Sequence, residues 1–276
     1  MYKNFLIILF LFIILIIINY NYNLKKKSKE KFVYQYNEIK NVTINGIKYK
    51  INLTLNEAYL YGLGNNILEN YTISSIISYN NINYNVTRIE DYAFTYSNDK
   101  ISGTLTIPDT ITSIGISAFS HCNKITGELI IPNSVTYIGN NAFYLCYGIN
   151  SLLLSNNLIK IGNGAFKECI NITGPLKIPN SVKVIYASAF YSCSNFTSLT
   201  LSDNITHIYD NAFYNCSKFQ GELKIPNNVI YIGTEAFRKC SSFTGSLILP
   251  NKLTSINSQT FKSCSSITNL IISKSI

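Results

Sequence analysis

The residues of this chain best suited to chemistry are seven cysteines and two histidines. The cysteines are Cys122, Cys146, Cys169, Cys193, Cys216, Cys240 and Cys264, and each follows a phenylalanine by three residues: Phe119, Phe143, Phe166, Phe190, Phe213, Phe237 and Phe261. Seven is odd, so the thiols cannot all close into disulfides within one chain. No Cys-x-x-Cys occurs, and one thiol every two dozen residues without a nearby histidine is not metal-ligand spacing. Thiols at one repeated position read first as small buried core residues. Disulfide and redox readings stand behind that one. Neighbouring rungs of a stack lie about 5 Å apart, within bridging distance, but equivalent side chains point the same way rather than at each other.

The histidines carry less. His121 falls between Phe119 and Cys122, and His207 falls in a turn. General acid–base work needs a positioned partner, and the sequence offers neither histidine one. No nucleophile elbow, phosphate-binding loop or dinucleotide fingerprint is present. Gly103, Gly127, Gly174, Gly221 and Gly245 recur at one repeat position and read as turn glycines. The expectation is a protein that is not an enzyme, with no cofactor and no metal.

The elements that hold these residues are repeats. Phenylalanines at 94, 119, 143, 166, 190, 213, 237 and 261 step by 23 to 25 residues, and alanine precedes all but Phe261. Only the first unit lacks the cysteine, with Ser97 in its place. Longer units such as "ITGELIIPNSV" carry a glycine before a short strand and a proline after it. Shorter ones such as "FTSLTLSDNI" carry neither, and the two types alternate through the middle of the array. The stretch "GELIIP" alternates as a strand does. The stretch "AFYLCYGI" spaces Phe, Cys and Ile by three, which predicts a tight helical turn. Inward rails run through Leu105 to Leu270, Val135 to Val229, and Ile114 to Ile256, beside the Phe and Cys rails. One unit alone buries too little to offset the ordering of its backbone, whereas stacked units share their rails.

The pattern "LxIPxxVxxIGxxAFxxCxxI" resembles the BspA-type leucine-rich repeat, a family of surface proteins, over about residues 86–276. The preceding stretch resembles the N-terminal cap of such arrays, with hairpins turning at Asn45-Gly46 and Asn80-Asn81. The resemblance implies a leucine-rich repeat solenoid. Short parallel strands would line a concave face, with turns and short helical turns on the convex face and a hairpin-rich cap at the start. It also implies adhesion or protein recognition rather than catalysis. The expected organisation is a signal peptide or membrane anchor over 1–24, a basic linker over 25–37, a cap with the first Ala-Phe unit over 38–100, and about seven repeats over 101–276.

On that fold, strand residues between inward neighbours line one face: Thr106, Ile130, Leu153, Lys177, Thr200, Lys224, Ile248 and Ile271. Glu128 and Glu222 stand in the column before them. Aliphatics in such a column fit a protein-facing patch, though aliphatics also simply favour strands. Glu128 and Glu222 against Lys177 and Lys224 make a mixed-charge pattern that tunes specificity. These residues form the candidate face for a protein or glycan partner.

Phe5 to Ile18 is an uninterrupted apolar run, and no charge appears over residues 4–24. The run suits a signal-peptide core, while the longer uncharged stretch suffices to span a membrane if it is not cleaved. Five lysines from Lys25 to Lys31 flank it and favour the cytoplasmic side. Two placements therefore stand: a cell-surface or secreted protein, and a membrane-anchored scaffold with its repeats in the cytosol. Eight Asn-x-Ser/Thr sites do not choose between them, since abundant Asn, Ser and Thr give as many by chance. The net charge of +9 is spread thinly beyond Lys31, which speaks against nucleic acid. The C-terminal strand "NLIISKSI" offers an uncovered edge, so self-association there is a further expectation.

Overall fold

The computed structural model describes residues 39–97, 99–272 and 275–276 of the chain. The stretches read as signal peptide or anchor, over 1–24, and as basic linker, over 25–37, lie outside the described residues. Among the described residues, no helix is long and apolar enough to cross a membrane.

The chain begins with six strands: β1 (Ile39–Ile44), β2 (Ile47–Asn52), β3 (Glu57–Leu63), β4 (Leu68–Thr72), β5 (Ile76–Tyr79) and β6 (Ile82–Ile89). Strands β1 and β2 pair antiparallel around Asn45 and Gly46, both at positive φ (49° and 74°). Strands β5 and β6 do the same around Asn80 and Asn81 (50° and 61°). Two left-handed residues per turn match the right-handed twist of the flanking strands, and Asn and Gly tolerate that conformation best. Strand β3 pairs antiparallel with β2 and parallel with β6, and so converts hairpins into a parallel stack.

From there the chain coils. The wider strands are β7 (Ile101–Thr106), β9 (Gly127–Ile130), β11 (Ile149–Leu153), β13 (Gly174–Lys177), β15 (Phe196–Thr200), β18 (Gly245–Ile248) and β19 (Ile267–Ile271). Between them lie two-residue strands: β8 (Ser113–Ile114), β10 (Tyr137–Ile138), β12 (Lys160–Ile161), β14 (Val184–Ile185), β16 (His207–Ile208) and β17 (Tyr231–Ile232). The narrow strands stack in parallel, coil on coil, as β6-β8-β10-β12 and β14-β16-β17. The Phe rings fill the axis. Phe143 lies 5.4 Å from Phe166, and the stack from Phe94 to Phe261 steps by 4.8 to 5.7 Å with rings nearly parallel. Those steps are close to the spacing of paired strands.

The helical turns expected on the convex side are absent: among the described residues there is no helix. The Ala-Phe segments are runs of tight turns, and the reason is visible in their amides. Ala142, Tyr144 and Cys146 donate back to the carbonyls of Gly139, Asn141 and Phe143 (3.3, 3.1 and 3.2 Å). Asn141, Phe143 and Leu145 instead donate to Asn163, Ala165 and Lys167 in the next coil (2.8, 2.8 and 3.0 Å). A helix would spend every amide on its own turn. Here every second amide points along the solenoid, which requires left-handed residues in between. Asn141 (φ 54°) and Leu145 (φ 61°) supply them, and positions 117 and 121, 188 and 192, 211 and 215, and 235 and 239 repeat the device. Each non-glycine residue in that conformation costs about 1–2 kcal/mol, offset by backbone hydrogen bonds between coils.

The rails run inward as the alternation predicts, with Leu152 and Leu199 half-buried and two exposed departures near the last coil. Leu270 and Ile256 are exposed, because no further coil lies over them among the described residues. Phe261 and Cys264 are half-buried there for the same reason.

Candidate functional site

The wide strands place their even-numbered and odd-numbered residues on opposite sides. Leu129, Leu176, Leu223 and Leu247 are buried, while Leu152 and Leu199 are half-buried. Their neighbours Thr106, Ile130, Leu153, Lys177, Thr200, Lys224, Ile248 and Ile271 are all exposed, on one face. Glu128 and Glu222 are exposed in the column beside them. Four of these residues are aliphatic and 48–58% exposed: Ile130, Leu153, Ile248 and Ile271.

This face is not one continuous sheet. Strand β9 pairs with β11, β13 with β15, and β18 with β19, but β11 and β13 do not pair with each other. A hydrogen bond from Thr173 N–H to the Asn150 carbonyl (2.9 Å) joins the two coils just before the strands separate. The gap between them is a groove of about 380 Å³ walled by Leu152, Leu153 and Leu154 on one side and Pro175, Leu176 and Lys177 on the other. A second groove of about 370 Å³ lies between Leu199, Thr200 and Leu201 and the segment carrying Glu222 and Lys224. The two grooves are the same feature 47 residues apart: Leu152 matches Leu199, Asn156 matches Asp203, and Lys177 matches Lys224. Gly174 and Gly221, both at positive φ, border these gaps, and a Cβ at either would meet nothing within 4 Å. Gly127 and Gly245 sit inside paired coils instead, where a Cβ would press on Thr104 at 3.2 Å and Glu222 at 2.9 Å.

The cysteine row faces the core. All seven thiols are free, six buried and Cys264 half-buried. Each donates to the carbonyl of the phenylalanine one coil earlier: Cys122 to Phe94, Cys146 to Phe119, Cys169 to Phe143, Cys193 to Phe166, Cys216 to Phe190, Cys240 to Phe213 and Cys264 to Phe237 (3.0–3.2 Å). Burial pushes the thiols of Cys122 and Cys169 up to about 12 and that of Cys264 to about 11. It raises Cys146, Cys193, Cys216 and Cys240 well above the usual range, with neighbouring thiols adding to the effect. A thiol kept protonated is neither a nucleophile nor a metal ligand. Among the described residues, no group of three His, Cys, Asp or Glu side chains is placed to hold a metal.

Sequence reasoning missed a second surface feature. His121 stacks on Tyr96 (4.4 Å) and meets the edge of Tyr144 (5.2 Å). Lys167 Nζ then lies over Tyr144 (5.4 Å) and Tyr191 (4.9 Å), and Tyr191 stacks on Tyr214 (4.6 Å). Arg238 and Lys239 close the column over Tyr214 (5.7 and 5.3 Å). His207 belongs to a parallel column with Tyr209 and Tyr231. The recurring "AFY" at 142–144, 189–191 and 212–214 carries the signal. These rings cover one another's faces, so the column holds coils together rather than opening a site.

A family model described as BspA type Leucine rich repeat region matches in six copies, over residues 61–186, 87–220 and 165–276. Among curated proteins, none matches. Among solved structures, a leucine rich cell surface protein from Faecalibacterium prausnitzii is similar, with TM-score 0.66 and 22% identity over 84% of this chain and 70% of that one. A T. pallidum leucine rich repeat protein gives TM-score 0.61 and 22% identity over 73% of this chain and 89% of its own. A leucine-rich repeat protein from Bacteroides ovatus gives 0.57 and 24% over 84% and 71%. At these identities the likeness is one of fold.

Proposed function

Because this chain belongs to the BspA type leucine rich repeat family, we propose that it is a non-catalytic binding or adhesion protein whose wide-strand face, the concave side of the array, holds a protein or glycan partner. The observation that carries the reading is the column of four aliphatics, Ile130, Leu153, Ile248 and Ile271, left half-exposed among Lys177, Lys224, Glu128 and Glu222. They stand as two apolar pairs, Ile130 with Leu153 and Ile248 with Ile271, on either side of a middle stretch that carries Lys177 and Lys224, and exposed aliphatics mixed with charges of both signs fit a recognition surface. Placement at the cell surface or in secreted form is part of this reading, and the similar Faecalibacterium prausnitzii protein is a leucine rich cell surface protein. The membrane would be reached through residues 4–24, if that segment stays on the chain.

The test is face-specific capture. The full chain is immobilised beside two variants, Lys177→Glu with Lys224→Glu on the strand face, and Lys167→Glu on the aromatic column. Proteins and glycans retained by the wild type and by Lys167→Glu, but lost by the double variant, support the reading. Equal retention by all three removes the strand face from the account. The lysines from Lys25 to Lys31 favour a second placement, a membrane scaffold with the repeats in the cytosol. Protease added outside sealed vesicles separates the two: digestion of the repeats rejects the cytosolic placement.

A further inference from the structure

The gap between β11 and β13 exposes backbone as well as side chains. Ile178 N–H donates to the Thr200 carbonyl (2.9 Å), so β13 turns the amides of its even-numbered residues toward β15. In a regular strand the amide and carbonyl groups of alternate residues point to opposite sides. Pro175 and Lys177 therefore present their backbone groups to the gap. The Leu153 carbonyl accepts from Ile131 N–H (2.8 Å) on the β9 side, which leaves Leu152 and Leu154 facing the gap from the other wall. Pro175 has no amide to lose there, as expected of a strand edge. Lys177 does, and its ammonium has no ion-pair partner among the described residues.

We propose that this groove binds an extended peptide segment of a partner by strand addition, with its backbone paired to the open edges at Lys177 and Leu152 and an acidic side chain set on Lys177. The inference rests on the strand-face reading above and adds the partner's chemistry. Unpaired strand edges select backbone, and pockets between alternate side chains then select sequence. A sugar ring is the poorer occupant: it binds by stacking on aromatic rings, and no aromatic residue lines this groove. The second groove keeps the lysine at Lys224 but places Glu222 where the first has Pro175, and Asp203 where it has Asn156. Glu128 lines the first groove, but it is one carboxylate against Lys177, whereas Asp203 and Glu222 are two against Lys224, so the acidic segment prefers the first groove.

Random dodecapeptides displayed on phage are selected against the full chain, and an enriched peptide is remade with N-methyl groups at each backbone amide in turn. The expected result is an acidic residue in the selected sequences and a loss of roughly tenfold or more in affinity at alternate amides only. Lys177→Pro removes the gap-facing amide and keeps the pairing to β15. It should lose roughly tenfold or more, with its melting temperature near that of the wild type, while Lys177→Ala should lose less. If Lys177→Pro does not fold, the N-methyl scan on the wild type decides alone. An empty selection, a scan without alternation, or full affinity in folded Lys177→Pro overturns the proposal. A partner lost on charge reversal but indifferent to Lys177→Pro would leave the binding role standing and remove strand addition.

Discussion

The thiol of Cys169 donates to the carbonyl oxygen of Phe143, 3.0 Å away in the preceding coil, and the same oxygen accepts the Cys146 amide at 3.2 Å. Both the ring of Phe143 and its carbonyl thus bind the next coil, one by stacking and one by a hydrogen bond. Removing the donor leaves that oxygen with one partner in a dry core. Cys169→Ala should cost about 1–3 kcal/mol, measured by urea unfolding. Cys169→Ser keeps a donor and should cost less. Equal losses would show that the thiol acts by volume alone.

The row also sets a response to alkali. Burial raises every one of these thiols above the ordinary thiol value, to about 11 for Cys264 and about 12 for Cys122 and Cys169. Unfolding lets them ionise near 9, so above that pH the unfolded chain binds fewer protons and stability falls. It is fully present below about 9 and is lost as pH rises toward 11–12, with each thiol contributing about 1.4 kcal/mol per pH unit. The transition midpoint, followed by circular dichroism from pH 7 to 11, should hold to about 9 and then drop steeply. A flat profile would place the thiols in water. A thiol reagent added at neutral pH should meet Cys264 first and the other six only on unfolding, since only Cys264 is half-buried.

Leu145 holds φ at 61° so that its amide can reach Lys167 in the next coil. A β-branched residue is a genuine outlier in that conformation, whereas asparagine tolerates it. Leu145→Val should therefore lose about 1–2 kcal/mol more than Leu145→Asn. Parity between the two in thermal denaturation would mean the turn relaxes into a helix.

Lys167 lies over two tyrosines at once. Each contact at a partly exposed site contributes about 0.5–1 kcal/mol, so Lys167→Ala should lower stability modestly. Binding through the strand face should be unchanged. A loss of binding without a loss of stability would move the recognition surface to the aromatic column.

The solenoid was legible because its marks are not the abundant residues. Ala, Phe and Cys at a fixed offset point to one buried position, and the Asn45-Gly46 and Asn80-Asn81 pairs demand hairpin turns. The helical turn was misread because a three-residue spacing suits a helix and a run of tight turns equally. Only the left-handed residues at 141 and 145 distinguish them, and no single residue type marks those positions: Asn141, Ser117 and Glu235 all serve. Asparagine and tyrosine were harder to weigh, being common throughout. Asn140 Oδ1 nevertheless accepts the Asn163 amide (2.9 Å), and Asn163 Oδ1 accepts that of Ala187 (3.1 Å), carrying a side-chain ladder from coil to coil. The grooves were invisible because they depend on which neighbours pair: the long units at Gly127, Gly174, Gly221 and Gly245 read alike, and only Gly174 and Gly221 stand in open space.

Residue-resolved amide hydrogen exchange on the free protein tests most directly whether the strand face is built as doublets with open edges. Lys177 ends β13 and Ile178 follows it; the Ile178 amide is bonded to the Thr200 carbonyl, while among the described residues the Lys177 amide faces the gap. Exchange at Lys177 faster by about a hundredfold or more is the predicted result. Equal protection of the two amides would mean that β11 and β13 close on each other, leaving no edge for a partner to join.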